Sequence, residues 1–271
     1  MKKSQLILII VGVLAILGLY ALPKVVVDNE GQAETAAQAT TGTTSSDPVA
    51  MHENELSPEK EETLGELKQR ISENPEELPE LSDELAVLYQ EKGKFDSAAY
   101  YMGLAADQSQ DLQLMEKAGN AYYEAFTFAL DQEKMAYLAE QTRSYLTQVL
   151  ENDPARLDLK SKVAMTYVSS ANPMQGITML REILEQDPQN EDALFNMGIL
   201  SMQSGQYKRA SERFEELIKY HPENLQGQFY LGVSYFEAKE KNKAKAQFEI
   251  VKTLTQDPMI LESVQSYLDR L

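Results

Sequence analysis

Proline stands at positions 154, 188 and 222, each 34 residues after the last, and glycine repeats the same step at 198 and 232. A fixed period of this length means stacked supersecondary units. One unit cannot cover its own apolar face, so successive units must lean on one another. Inside the period, "GQYKRASERFEELIKYHPEN" (205–224) puts Tyr207, Ala210, Phe214, Leu217 and Ile218 on one helical stripe that stops at Pro222. Ala210 and Phe214 return 34 residues later as Ala244 and Phe248. The unit is therefore helical, and proline, which cannot continue a helix, punctuates the turn to the next one.

A small residue midway in a first helix, then a small residue and an aromatic in a second, then a closing proline, resembles the tetratricopeptide repeat. From Glu191 the pattern is met by Leu194, Met197-Gly198, Ala210, Phe214 and Pro222, although Ser201 replaces an aromatic. From Leu225 it is met by Leu231-Gly232, Tyr235, Ala244 and Phe248, with the proline two residues late at Pro258. From Leu157 it is met by Val163-Ala164, Tyr167, Gly176, Leu180 and Pro188, and from Pro79 by Leu85-Ala86, Tyr89, Ala98 and Met102 without a proline. Between these, Ala118-Gly119 and Tyr122 are in place, but Pro154 comes about 11 residues late, which predicts two lengthened helices. The resemblance implies an all-α, right-handed superhelix of antiparallel helix pairs. Its repeats run over 79–111, 112–156 (expanded), 157–190, 191–224 and 225–258, with capping helices at 59–73 and 258–271.

Two segments precede the repeats. Lys2 and Lys3 are followed by uncharged, mostly aliphatic residues from Leu6 to Leu22, which as a helix span about 26 Å, close to a hydrocarbon core. No alternation of small residues follows that would suit signal cleavage, so residues 1–27 are expected to be an uncleaved transmembrane helix. The lysines favour a cytoplasmic N-terminus, which makes this a single-pass protein with its repeats extracytoplasmic, or periplasmic in a Gram-negative cell. Residues 28–57 are rich in Ala, Thr, Ser, Gln and Gly, cannot bury enough surface to offset their ordering, and read as a disordered linker reaching about 30 Å.

Formal net charge is −18, which disfavours nucleic acid as a partner. The chain has no cysteine and its two histidines, His52 and His221, fall in different segments. Neither a metal site nor a thiol nucleophile is expected. No phosphate loop or nucleophile motif occurs, so the chain reads as neither an enzyme nor a cofactor carrier.

In repeats of this type the first helix of each pair lines a concave groove. Carried onto this chain, the resemblance implies acidic positions Glu80 and Asp83 at one end. At the other it implies an apolar set, Met165, Phe195, Ile199, Met202, Phe229, Val233 and Phe236, flanked by Asp192, Gln203, Gln226 and Glu237. The C-terminal cap helix, or simple packing between repeats, is the competing occupant of that space. Gly119-Asn120 is similar to part of the clamp with which some relatives grip a peptide carboxylate. Glu116 stands where that clamp needs a lysine, so binding of that type is not expected. The chain is similar to membrane-anchored bacterial envelope proteins that assist exported polypeptides. A peptide or amphipathic helix of a partner protein is therefore the expected ligand, and homo-oligomerisation without a client the alternative.

Overall fold

The structure, a computed structural model, describes residues 54–271. The expected transmembrane segment, 1–27, and residues 28–53 of the expected linker lie outside the described residues. Among those described there are twelve α-helices and no strand, and no helix long and apolar enough to cross a membrane. Helix α1 (Pro58–Glu73) precedes five pairs: α2 (Leu78–Glu91) with α3 (Phe95–Ser109), α4 (Leu112–Phe128) with α5 (Gln132–Asn152), α6 (Leu157–Val168) with α7 (Pro173–Gln186), α8 (Glu191–Gln203) with α9 (Tyr207–Tyr220), and α10 (Leu225–Glu237) with α11 (Lys241–Leu254). Helix α12 (Pro258–Leu268) closes the array, and consecutive helices pack on one another along its whole length. The lengthened pair is real: α4 and α5 have 17 and 21 residues, against 13 and 14 in α8 and α9.

The two kinds of turn are built differently. The turns that enter α4, α8, α10 and α12 are capped by side chains, while α2 and α6 start without such a cap. Asp111 accepts from the Gln113 and Leu114 amides, Asn190 from Ala193, Asn224 from Gly227 and Asp257 from Met259. Each satisfies an amide that has no partner inside its helix. Within pairs, Asp131 caps α5 by accepting from the Lys134 amide, and three other turns rely on backbone. Gly93, Gly205 and Lys239 adopt φ of 74°, 71° and 65°, and the next amide (Lys94, Gln206, Glu240) reaches back to the carbonyls of Tyr89, Ser201 and Tyr235. That left-handed closure suits glycine and is strained for the β-carbon of Lys239.

Close approach of helices follows from the small residues. A β-carbon at Gly198 would lie 2.6 Å from Phe214, and one at Gly232 would lie 2.7 Å from Phe248. At Gly176 it would meet the backbone itself, 2.2 Å from the Ala164 carbonyl oxygen. Phe214 and Phe248 are fully buried at equivalent places, as their 34-residue spacing predicts.

The chain before α1 is tied down. The Asn54 amide donates to the Lys92 carbonyl (3.2 Å), its Nδ2 to the Glu91 carbonyl (3.2 Å), and Leu56 packs on the core. These residues closed the expected linker. Their order comes from partners at the end of α2 that no local pattern displays.

Candidate functional site

The first helices of the pairs carry a ladder of polar contacts between neighbours. Lys117 pairs with Asp83, Gln90 Nε2 donates to Glu124 (2.6 Å), and Arg156 grips Glu116 through two nitrogens at 2.7 and 2.9 Å while also holding Asp158. Lys162 Nζ donates to Asn120 Oδ1, and Asn224 Nδ2 to Glu191 (2.7 Å). The hydrogen bonds and charge of Arg156 hold the Glu116 and Asp158 carboxyls below their usual range. His221 caps α9, and its Nε2 donates to the Gln189 carbonyl at 2.7 Å, joining two successive turns. The carboxylates expected to make an acidic lip are thus partly neutralised. Asp83 and Glu80 are exposed far along the array from the apolar set, and Asp83 is paired.

The apolar set divides in two. Helix α12 lays Tyr267 on Phe229, Phe236 and Phe248, with ring centroids 6.0, 5.2 and 5.2 Å apart. Arg270 stacks on Phe236, and Lys241 Nζ donates to the Leu271 carbonyl (2.6 Å). Val233 is buried, and Met202 packs against the same cluster. Met165 packs in the middle cluster with Ala164 and Leu180. These four residues, Met165, Met202, Val233 and Phe236, do not line the open space. Phe195, Ile199 and Phe229 do.

That space is a cavity of about 830 Å³. Its apolar wall is Phe195, Ile199, Leu225, Phe229 and Tyr230 of α8 and α10 with Met259 and Ile260 of α12. Its polar rim is Asn196, Gln203, Gln226, Ser263 and Thr127. Among the described residues, no acidic or basic side chain lines it. The volume is in the range of ligand pockets, and Met259 is 78 % exposed at its edge. The cap helix is therefore both filler and wall: Tyr267 closes one half of the apolar set, while Met259 and Ile260 frame the other.

Thr127, Asn196, Leu225, Tyr230, Met259, Ile260 and Ser263 also line the cavity and lie outside the positions that repeat register assigns to the groove. Thr127 belongs to the extra turn of α4, so the delayed proline at 154 was the available signal. The others depend on where α12 and the neighbouring side chains of α8 and α10 settle. The described residues contain no group of three or more histidines or acids able to hold a metal.

Family models described as tetratricopeptide repeat match residues 170–224 and 226–254. No curated protein matches the chain. Among solved structures, a tetratricopeptide repeat protein from Parabacteroides merdae is 18 % identical, covers 78 % of this chain and 79 % of its own, and superposes with a TM-score of 0.57. A thermophilic protein of Thermus thermophilus, likewise described as having these repeats, is 13 % identical over 70 % of this chain and 98 % of its own, with a TM-score of 0.53. At such identities the likeness is one of fold.

Proposed function

We propose that this chain, whose residues 170–224 and 226–254 match tetratricopeptide repeat models, is a non-catalytic protein–protein interaction scaffold, held at a membrane by residues 1–27, whose client docks along α8 and α10. The carrying observation is the cavity of about 830 Å³ over Phe195, Ile199 and Phe229. Elsewhere on the first helices, Asp83, Gln90, Glu116, Asn120 and Glu124 are held by partners within the chain. Here rings and an aliphatic side chain face solvent, which favours an apolar ligand. The aliphatic run from Leu6 to Leu22 supports the tether, and with Lys2 and Lys3 before it supports an extracytoplasmic array that assists exported polypeptides.

Crosslinking in intact membranes followed by identification of the adducts tests this. Phe195→Asp with Phe229→Asp should abolish client adducts. Because both rings also touch core aromatics, Met259→Asp at the exposed rim serves as the mild variant and should reduce the adducts with helical content unchanged. Full adduct yield from both variants would remove the docking site. The oligomerisation reading has one observation in its favour, the exposure of Phe128, Leu130 and Tyr137 around the α4–α5 turn. Self-adducts alone would select it.

A further inference from the structure

The extra length of the α4–α5 hairpin lies at one end of it. Arg143 stacks its guanidinium on Tyr167, in the last turn of α6, at 4.8 Å from the ring centroid. Eleven residues of α5, about 16 Å, precede Arg143, so even after the reach of that side chain about 10 Å of hairpin stands past the end of α6. On its other side the tip is level with the α2–α3 turn. Phe128 stacks on Phe95 with centroids 4.3 Å apart, and Lys134 Nζ donates to Asp96 (2.7 Å). The described chain enters the array at this same end, because the Asn54 amide and side chain donate to the Lys92 and Glu91 carbonyls.

The tip carries apolar side chains in the open. Leu130 is 75 % exposed, and Phe128 is exposed two residues before it. Tyr100 and Tyr137, each about half exposed, follow Asp96 and Lys134 by four and three residues, so both stand one turn behind that ion pair. A leucine and a phenylalanine at an end, with tyrosines one turn back, suit a lipid interface, where an apolar ring meets hydrocarbon and its hydroxyl stays wet. Charge runs the same way. At the tip Lys92 and Lys134 are paired with Glu61 and Asp96, Asp131 caps α5, and Glu133 is exposed beside them. The turn at the opposite end of α3 and α4 holds Asp107 and Asp111, with no lysine or arginine from Asp107 to Glu116.

Resting on the tether argued above, we propose that this tip is a second membrane contact: Phe128 and Leu130 seat among the lipid headgroups, Tyr100 and Tyr137 stand at the water boundary, and the acidic turn at 107–111 points away. The contact fixes which end of the array faces the bilayer. A second copy of the chain is the rival occupant. The four side chains expose roughly 500 Å². That is short of the roughly 800 Å² that each partner of a stable protein pair buries. Two chains of formal charge −18 also repel one another. A lipid surface needs less area, since the tether keeps the tip at high effective concentration beside it.

The chain has no cysteine, so one introduced cysteine places a fluorophore at a chosen point. Gln132→Cys labels the tip and Gln113→Cys the other end of α4, about 22 Å of helix away, and both positions are exposed. The full chain is reconstituted in phosphatidylcholine vesicles whose lipids carry a nitroxide just below the headgroup. The probe at 132 should be quenched at least twofold more than the probe at 113, and Leu130→Asp should remove most of that difference. Equal quenching at both ends, in chains that float with the vesicles, overturns the tip contact and leaves the tether standing. Chains that do not float remove the tether. A probe at 132 that is shielded from aqueous iodide but not quenched by the lipid nitroxide, with shielding that grows with protein density, assigns the tip to a second copy and overturns the proposal.

Discussion

Rings join helices both from α1 to α6 and from α8 to α12, as Tyr89 with Tyr101, Phe95 with Phe128 and Tyr122 with Tyr145 do between α2 and α5, but from α1 to α6 ion pairs also tie helix to helix. In the first region Lys60–Glu91, Lys92–Glu61, Lys117–Asp83, Lys134–Asp96 and Arg156–Glu116 each bridge different helices. In the second, Arg213–Glu216, Lys243–Glu240 and Lys252–Glu249 span only three residues, His221 lies 3.5 Å from Glu191, and aromatic contacts form a continuous chain from Phe195 through Phe214, Tyr230, Phe229 and Phe248 to Tyr267. The helix contacts differ in kind as well. Gly103 faces two tyrosines, and Tyr145 is tied by its hydroxyl to Asp107 (3.0 Å), while Gly198 and Gly232 face phenylalanines. The open site lies between α8, α10 and α12, in the region with fewer ion pairs between helices.

Removing the ring at the centre of that region is the strongest way to break the contrast. Phe214→Ala should cost about 3–5 kcal/mol, since the side chain is fully buried and Gly198 cannot fill the void. Hydrogen exchange should quicken in α8–α12 and little in α1–α5. Uniform quickening would show that the two regions do not behave separately. Gly176→Ala probes the junction. Its β-carbon meets backbone on α6, which cannot rotate away, so urea unfolding should report a loss of about 2 kcal/mol.

The ion ladder is tested by Glu116→Gln, expected to cost about 1 kcal/mol at neutral pH and less in high salt. Arg156 holds Glu116 and Asp158 below their ordinary values of 4.5 and 3.8. A carboxyl whose pKa is lower in the folded chain stabilises the fold above its unfolded value, and the gain is lost as pH falls through the folded one. Wild type should therefore weaken on acidification from about pH 5 to about pH 3 more steeply than Glu116→Gln. Equal slopes would exclude the pair as a contributor. Lys239→Gly should raise stability by about 1 kcal/mol by relieving the left-handed backbone where Gly93 and Gly205 stand in other repeats. Lys117→Met should change it by at most about 0.5 kcal/mol, because both partners of that pair are about half exposed.

The helical solenoid was legible because its determinants are local and repeated. Apolar spacing, the small residues at 198, 210, 232 and 244, and the turn prolines recur at one period. The lengthened pair announced itself through the late Pro154. Within the candidate site, Phe195, Ile199 and Phe229 could be found from repeat position. Val233 and Phe236 have the same character and the same register, but Val233 is buried and Tyr267 with Arg270 covers Phe236. Asp83 likewise looked like part of an acidic lip until Lys117, 34 residues on, was placed beside it.

By itself the sequence determined that this chain stacks helical hairpins, since each hairpin's stripe, cap and small residues act over a few turns of backbone. Tertiary structure alone decided which equivalent positions stay open. Whether a ring is covered depends on the pose of α12, the reach of the extra turn of α4 at Thr127, and the ion pairs made between helices. Those are distances between elements far apart along the chain, and residue order carries no measure of them.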